Sequence, residues 1–407
     1  MGDIELTEIT LNGGQGSAVQ SLQEWWDAIQ KVRQKYGKHA IIADYMRPYF
    51  VIAGLAGTGK TTIVKYGVRA IGLHPHKCVF IAPTGKAASR LRAKGNAGAM
   101  TLHSFAYLCL GEFEDERTGE DQPVFIERGS LDFVPDLVVL DEGSMVSARD
   151  RETLVSFNIP LVVLGDHGQL DPVNAVAGFD LENGSDVKLE EIERQGADSN
   201  IIRAAMFVRQ GYQLPERDYP DMKVIRGYPS TEKFVEFAGL DGVSQILCGR
   251  NETRRSINSE VRAALGFTAP LPKKGEKIVC TFNQRNHGVM NGELYIVDGF
   301  PEKPTMEEYR GDDHDVWFIP LVSTDDGRKV RARFNPKCFL AEVDSDEHKE
   351  ALKHAGGWDW GYAITVHKSQ GSEWDNVLLV DESMSGNKAK WRYTGITRAA
   401  LYLEYWR

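Results

Sequence analysis

A glycine-rich octet early in the chain has the composition of a phosphate-binding loop. Residues 54–61 read Gly-Leu-Ala-Gly-Thr-Gly-Lys-Thr, which fits G-x-x-x-x-G-K-[ST] between a predicted strand and a predicted helix. Its backbone N–H groups and the amino end of the next helix attract phosphate oxygens. The pattern predicts an ATP site in which Lys60 reaches the β- and γ-phosphates and the Thr61 hydroxyl binds Mg²⁺. The predicted nucleotide contacts are Gly54, Ala56, Gly57, Thr58, Gly59, Lys60, Thr61 and Thr62.

Two further polar turns each follow an apolar run. Asp141 and Glu142 end the run at 137–140, and Asp141 is expected to hold the metal ion. Glu142, one residue further on, can orient and deprotonate the attacking water and is predicted to be the general base. After the next run, the neutral amide of Gln169 can sense the γ-phosphate and hydrogen-bond the water.

Composition indicates an ordinary globular chain of several domains. The chain has 407 residues, 42% of them hydrophobic, and a net charge of −10, so about two to four domains are expected. This net negative charge argues against a protein surface that is basic overall and binds nucleic acid everywhere. It favours a local basic groove. No apolar run approaches the roughly 20 residues of a membrane span. Five scattered cysteines and no visible signal peptide predict a reducing cytoplasm.

The chemical residues lie at the ends of predicted buried strands that alternate with helices. This alternation of buried strands and helices predicts parallel α/β sheets. In such sheets, ligands bind beyond the carboxyl ends of the strands. The polar turns are therefore expected to form one site. The predicted strands are 49–54, 78–82, 137–140 and 161–164 in a first sheet, and 245–248, 362–366, 377–380 and 401–405 in a second.

Two segments interrupt this alternation of strands and helices. Residues 105–134 contain an acidic stretch between apolar arms and predict a hairpin or loop. Residues 271–359 contain short strands separated by Gly, Asn, Asp and Pro, which predicts a small antiparallel barrel. The remaining chain divides into a first α/β domain at 1–104 and 135–175, and a second at 176–270 and 360–407.

The order of motifs resembles that of superfamily 1 helicases, specifically the RecD and phage Dda-type branch. The strings that carry the resemblance, besides the P-loop, are residues 82–88, 101–105, 192–195, 365–373 and 393–399. It implies two RecA-like P-loop NTPase domains with an inserted SH3-like β-barrel. The implied activity is ATP- and Mg²⁺-dependent 5′-to-3′ movement on single-stranded DNA and separation of duplex, in replication, recombination or repair.

The resemblance also implies roles for individual residues. Arg194 and Arg398 would reach the γ-phosphate, with Arg398 as the arginine finger. Gln15 resembles the glutamine that reads the adenine edge, and an amide can pair with adenine in two hydrogen bonds. Further nucleotide-facing residues are Gln370, Gly371 and Glu373. The implied DNA contacts are Pro83, Thr84, Lys86, Thr101, His103, Phe105, Thr365, His367 and Ser369.

Duplex separation needs a wedge, and the hairpin is the candidate. Phe113 or Phe125 could replace part of the lost base stacking, although either could instead anchor the hairpin. Gly143 stands where Ala or Val is common in the family, a departure that is expected to be tolerated.

Two alternative functions remain open from the sequence. The first is an ATPase motor that is stimulated by single-stranded DNA and displaces proteins without unwinding. The second is an RNA helicase, because the motifs barely distinguish the two sugars. The expected partners are single-stranded and forked DNA and replication or recombination proteins. A monomer in a bacterial or phage-infected host cytoplasm is expected by analogy.

Overall fold

The apolar runs form two parallel sheets in separate parts of the chain. The computed structural model describes residues 13–115, 120–131, 133–172, 175–190, 199–239, 242–284, 287–303, 305, 317–353, 356–382 and 386–407. Its internal contacts divide the chain into two compact units. The first unit comprises residues 1–83, 88–108 and 126–198, and the second comprises 84–87, 109–125 and 199–407.

The first unit contains a six-stranded parallel sheet in the order β3-β2-β6-β7-β1-β8. Its four longest strands are fully or largely buried, which explains their near-continuous apolar sequences. The strands are β1 (Tyr49–Gly54), β2 (Cys78–Ala82), β3 (Met100–Thr101), β6 (Leu137–Leu140), β7 (Leu161–Gly165) and β8 (Val187–Leu189).

Helices cover this sheet and supply its core. Leu22 and Trp26 of the first helix pack in one buried cluster with Phe50 and Ile52 of β1. Trp25 packs partly buried against the same cluster, so both tryptophans serve the core. The helices are α1 (Gly13–Tyr36), α2 (Lys60–Ala70), α3 (Gly85–Ala93), α4 (Leu102–Ala106) and α5 (Ala148–Ser156).

The second unit contains a six-stranded sheet in the order β17-β11-β18-β19-β10-β9. Its pairings are parallel except that β9 runs antiparallel to β10. The strands are β9 (Arg217–Asp218), β10 (Met222–Ile225), β11 (Ser244–Cys248), β17 (Ala363–Thr365), β18 (Trp374–Val380) and β19 (Ala399–Trp406). The helices that accompany it are α6 (Asn200–Arg209), α7 (Thr231–Glu236), α8 (Asn251–Ala264) and α11 (Lys388–Ile396).

A five-stranded antiparallel sheet lies within the second unit, in the order β15-β14-β13-β12-β16. Its strands are β12 (Lys277–Cys280), β13 (Leu294–Val297), β14 (Trp317–Ser323), β15 (Lys329–Phe334) and β16 (Trp358–Trp360), with helices α9 (Lys337–Leu340) and α10 (Asp346–Lys353). Buried polar contacts join it to the neighbouring parallel sheet: Lys277 Nζ donates to Gln245 Oε1 at 2.8 Å. Closure into an SH3-like barrel stays a prediction.

The predicted hairpin contains two paired strands, β4 (Tyr107–Asp115) and β5 (Glu120–Glu127). Phe113 belongs to β4 and Phe125 to β5, but the side chains of residues 109–125 lie outside the described part of the structure. The wedge assignment therefore stays a prediction.

Strand β8 lies beyond the boundary that the sequence predicts between the α/β domains. β8 pairs with β1 through Ile52 and Val187, and the first unit extends to Asp198. The boundary at 175/176 stays a prediction, and β8 was not predicted because a three-residue strand gives little periodic signal. Within the described residues, no helix is long and apolar enough to cross a membrane.

Candidate functional site

Three neighbouring parallel strands of the first unit place their chemical residues at one edge. β7 lies between β6 and β1, with Ala53 opposite Gly165 and Leu140 opposite Val163. The P-loop, the Asp141–Glu142 pair and the turn containing Gln169 follow these strands in the sequence. The sheet therefore brings together the three segments predicted to handle the phosphates.

Glycines shape the P-loop for reasons visible in the backbone. Gly57 and Gly59 adopt left-handed conformations, with φ values of 79° and 75°, which side chains with a Cβ rarely accept. Gly54 has a different reason, since an added Cβ would stand 2.6 Å from Thr58 Oγ1. The loop ends where Lys60 begins α2, so its backbone N–H groups and the helix dipole can act on one anion.

Lys60 and Gln15 both contact the loop. Lys60 Nζ donates hydrogen bonds to the carbonyl oxygens of Gly54 at 2.7 Å and Leu55 at 2.9 Å. Gln15 is buried, and its Nε2 atom donates to the Thr58 carbonyl at 3.4 Å. The structure thus brings the predicted adenine reader to the P-loop, although contact with adenine stays a prediction.

The backbone at Glu142 has a conformation that L-residues seldom adopt. Its φ of 54° and ψ of 42° lie in the left-handed region, which costs free energy in a residue with a side chain and is often found at functional sites. The Glu142 N–H donates to Asp141 Oδ1 at 2.9 Å. The next residue, Gly143, packs tightly: an added Cβ would lie 2.6 Å from Val163 Cγ1.

Two buried polar atoms follow the same strand ends. Gln169 Oε1 and Ser144 Oγ have no hydrogen-bond partner among the residues that the structure describes. Orphaned buried acceptors are costly, so such atoms often mark a place where a water or ligand completes the hydrogen bonding. Ser144 was not singled out from the sequence, since one serine in a turn carries no signal.

In the second unit, residues 365–373 form a tight turn after β17. Gly371 has a φ of 74°. The fully buried Ser369 donates its hydroxyl to the Val366 carbonyl at 2.7 Å. Thr365 Oγ1 accepts from the Lys368 N–H at 3.3 Å. The hydroxyls of Ser369 and Thr365 therefore stabilise the turn, and their direct contact with DNA stays a prediction.

The remaining predicted residues of this turn differ in exposure. Gln370 is buried, Glu373 is exposed and His367 is half-buried. Burial lowers the pKa of His367, which favours the neutral imidazole. Neutral imidazole can donate one hydrogen bond and accept another.

Arg398 is buried at the end of α11 and bound by backbone carbonyls. Its Nη1 donates to the Ser372 carbonyl at 2.9 Å and its Nε to the Thr394 carbonyl at 3.0 Å. The bond to Ser372 joins the predicted arginine finger to the 365–373 turn, which ends 25 positions earlier in the sequence. The predicted partner Arg194 lies outside the described residues, as do the side chains of Thr61 and Thr62.

The residues of the first half of the chain that are predicted to contact DNA differ in burial and in local contacts. Thr101 caps α4 by accepting from the Ser104 N–H at 3.1 Å, while His103 is exposed and stacks on Tyr107. Phe105 is buried edge-on against Phe157, with ring centroids 5.8 Å apart. This packing accounts for Phe105 as a core residue, and base stacking by it stays a prediction.

Residues 84–87 are grouped with the second unit. Thr84 Oγ1 accepts from the Ala87 N–H at 3.2 Å, and Pro83 precedes it half-buried. Lys86 is buried, with Nζ 3.3 Å from Asp325 Oδ1 and 4.5 Å from the centroid of the Trp374 ring. A DNA phosphate would therefore have to compete with an aspartate for Lys86.

A glutamate that the sequence analysis missed orders a loop of the second unit. Glu382 accepts hydrogen bonds from the N–H groups of Gly249 and Arg250 and from Thr253 Oγ1. It follows β18 as Glu142 follows β6, and residues 378–382 read Leu-Leu-Val-Asp-Glu beside Val-Val-Leu-Asp-Glu at 138–142. That repeated string was the available signal. Here the carboxylate binds the loop after β11.

Comparisons with known proteins agree with these motifs. Residues 31–227 match the AAA domain, and residues 361–403 match the UvrD-like helicase C-terminal domain. The ATP-dependent RecD2 DNA helicase of Deinococcus radiodurans is 27% identical over 380 residues, covering 86% of this chain and 45% of that protein. The ATP-dependent DNA helicase Pif1 of Campylobacter jejuni is 23% identical, covering 80% of this chain and 81% of the relative.

A solved structure shows the same fold. The crystal structure of Bacteroides Pif1 bound to single-stranded DNA has a TM-score of 0.53 and 17% identity, covering 98% of this chain and 92% of that one. The chain spans less than half the length of the Deinococcus relative. The P-loop sheet, the two matched domains and these relatives make the chain similar to helicases of the RecD and Pif1 type.

Proposed function

We propose that the chain is an ATP-dependent DNA helicase that moves 5′ to 3′ on single-stranded DNA and separates duplex. The observation that carries the ATPase part is the common edge of β6, β7 and β1, where the P-loop, the Asp141–Glu142 pair and Gln169 follow adjacent strands. The helicase part is supported by the 365–373 turn bonded to Arg398 and by relatives named as DNA helicases. The direction rests on the resemblance to the RecD and Dda-type branch.

The residues present fit a magnesium nucleotide. Lys60 would exchange its bonds to the Gly54 and Leu55 carbonyls for charged phosphate oxygens, which are stronger acceptors. Thr61 and Asp141 would hold Mg²⁺, which supplies positive charge to the phosphates during hydrolysis. Gly57 and Gly59 adopt left-handed conformations without steric cost, so backbone N–H groups of the loop can point at phosphate oxygens.

Proton transfer is assigned to the turns after β6 and β7. Glu142 takes the proton from the attacking water, and its left-handed backbone is a strained conformation of the kind that clusters at functional sites. Gln169 Oε1, buried without a described partner, can accept a hydrogen bond from the same water. A neutral amide does so without competing for the proton.

Arg398 is the residue to which we assign the arginine-finger role that the family resemblance implies. Two of its present acceptors are carbonyl oxygens, which carry only partial negative charge. Phosphate oxygens are the better partners for a guanidinium. We therefore assign Arg398 to the charge that develops on the transferring phosphoryl group.

ATP hydrolysis with and without oligothymidine tests the proposal. We expect single-stranded DNA to stimulate hydrolysis, and Lys60→Ala to lower it on the order of a hundredfold or more, because a positioned donor to the phosphates is lost. Lys349→Ala, which changes an exposed lysine of α10, is the matched control. Hydrolysis that ignores single-stranded DNA would contradict both the helicase and the motor functions.

A further inference from the structure

An exposed aromatic pair lies at the carboxyl end of α1, among residues that no motif includes. The rings of Tyr36 and Tyr45 stack with centroids 4.1 Å apart and planes 17° apart. Tyr36 is 47% exposed and Tyr45 is 48% exposed. In a stacked pair each ring covers one face of the other, so the exposed part of each side chain leaves an outer ring face or edge for a further ring to stack on. We call these two residues the Tyr36–Tyr45 pair.

The segment that carries this pair is held in place. Asn158 Oδ1 accepts from the Ile42 N–H at 2.8 Å, and Asn158 Nδ2 donates to the Ala40 carbonyl at 2.9 Å. Ile42 itself is completely buried. The rings are therefore presented by an anchored loop, which lowers the entropic cost of binding something against them.

The surrounding charge is opposite in sign to that of the whole chain. Residues 31–47 contain five lysines and arginines and one aspartate, whereas the chain has a net charge of −10. Lys35 Nζ lies 4.9 Å from the centroid of the Tyr36 ring. Lys31, Lys35 and Lys38 are exposed, and no carboxylate in the described ranges pairs with them.

This surface lies at the opposite edge of the first sheet from the ATP residues. Arg47 precedes β1 and Asn158 precedes β7, whereas the P-loop and Gln169 follow those strands. A six-residue strand such as β1 spans roughly 20 Å. A ligand on the Tyr36–Tyr45 pair would therefore not touch the nucleotide.

We propose that the Tyr36–Tyr45 pair, with Lys31, Lys35 and Lys38, is a second binding site for single-stranded nucleic acid. Bases stack on aromatic rings without regard to sequence, and lysines attract the phosphates between them. A duplex hides its base faces, so the rings select an unpaired strand. The proposal goes beyond the motor function and does not depend on it.

Photocrosslinking and binding of oligothymidine test this site in the full chain. The variant Tyr36→Ser/Tyr45→Ser removes the rings. The matched control, Phe207→Ser/Tyr212→Ser, removes another exposed stacked pair, with centroids 4.8 Å apart, from the second unit. An iodouracil-substituted strand is crosslinked to the protein, and the adducts are mapped by mass spectrometry. In a separate experiment, the affinities of the protein for a short strand, a long strand and a blunt duplex are measured.

We expect adducts on Tyr36 or Tyr45 and a roughly tenfold weaker binding of the long strand by the tyrosine variant, since a stacked base contributes about that much. Lys35→Gln/Lys38→Gln should reduce the salt slope by about 1.4, or about 0.7 per phosphate contact. Hydrolysis of ATP without DNA should remain unchanged in these variants.

Two results would overturn the proposal. One is the absence of adducts within 31–47 together with an unchanged affinity for the long strand. The other is an equal loss in the Phe207→Ser/Tyr212→Ser control or an equal loss for blunt duplex, because either would remove the rings as the specific contact. ATPase that lacks stimulation by the short strand would instead count against the proposed motor, so the two failures are distinguishable.

Discussion

At the scale of single residues, two cationic side chains of the candidate site, Lys60 and Arg398, donate to backbone carbonyl oxygens. Lys60 binds two carbonyls of its own loop, and Arg398 binds the carbonyls of Ser372 and Thr394. Each interaction positions the side chain yet uses weak acceptors that a phosphate can replace. The spacing of the P-loop predicted Lys60 and the family resemblance implied Arg398, but the carbonyls that hold them follow from the folded loops.

Replacing Glu142 with glutamine tests the general base. The amide keeps the size of the side chain but cannot accept a proton, so we expect Glu142→Gln to bind ATP normally and to lose at least about a hundredfold in turnover. Nucleotide binding and steady-state hydrolysis measure the two effects separately. The control Glu152→Gln alters an exposed glutamate of α5. Normal turnover in Glu142→Gln would remove Glu142 as the base.

His367 makes stability depend on pH. Burial lowers its pKa from an ordinary value of about 6.5, so the unfolded chain binds a proton before the folded protein does. The shift has no effect above that ordinary value, and stability is lost as the pH falls from it through the lower folded pKa.

We therefore expect His367→Gln to lose less in melting temperature than the parent protein between about pH 7.5 and about pH 5.5. Thermal unfolding at the two pH values measures the difference, and His76→Gln, at an exposed histidine, is the control. An equal loss in His367→Gln and the parent would show that His367 does not cause the dependence.

At the scale of elements, the turn after β6 packs closely on strand β7, at the sheet edge where Glu142 lies. The turn after β6 places Gly143 against β7, where an added Cβ would lie 2.6 Å from Val163 Cγ1 and 3.1 Å from the Leu164 carbonyl oxygen. The sequence showed that this position departs from the family, and the structure supplies a reason. Glycine lets the turn pack directly on the strand beside Glu142.

Adding one methyl group tests this close packing. We expect Gly143→Ala to destabilise the protein by about 1–3 kcal/mol through overpacking and to lower ATP turnover as the Glu142 turn shifts. Chemical denaturation and hydrolysis measure the two effects. Gly98→Ala is the matched control because nothing lies within 4 Å of a Cβ at Gly98. Unchanged stability in Gly143→Ala would show that the strand yields at little cost.

The sequence predicted the bounds of individual strands better than it predicted which strands pair with each other. The strands expected at 49–54, 78–82 and 137–140 are observed over those residues, because each is a short apolar run that ends at a polar turn. β8 was missed because three residues carry too little pattern. The order β3-β2-β6-β7-β1-β8 depends on pairing between distant segments, which local sequence does not encode.

At the scale of the whole molecule, the acidic chain contains separate local sites. The first unit carries the P-loop edge with Lys60 at the start of α2, and the second unit carries the turn bonded to Arg398. The basic segment at 31–47 belongs to the first unit, at the other edge of its sheet from the P-loop, in a chain of net charge −10. This distribution fits the expectation that nucleic-acid binding is local, so its strength should fall as salt rises.

Strand separation on tailed duplexes is the measurement that tests the helicase proposal most directly. Duplexes that carry a single-stranded tail at either the 5′ or the 3′ side are mixed with protein, ATP and Mg²⁺, and Glu142→Gln serves as the hydrolysis-deficient control. The proposal predicts separation of the 5′-tailed duplex by the parent protein and none by the control. Separation from the 3′ tail alone, or DNA-stimulated hydrolysis with no separation from either tail, would contradict it.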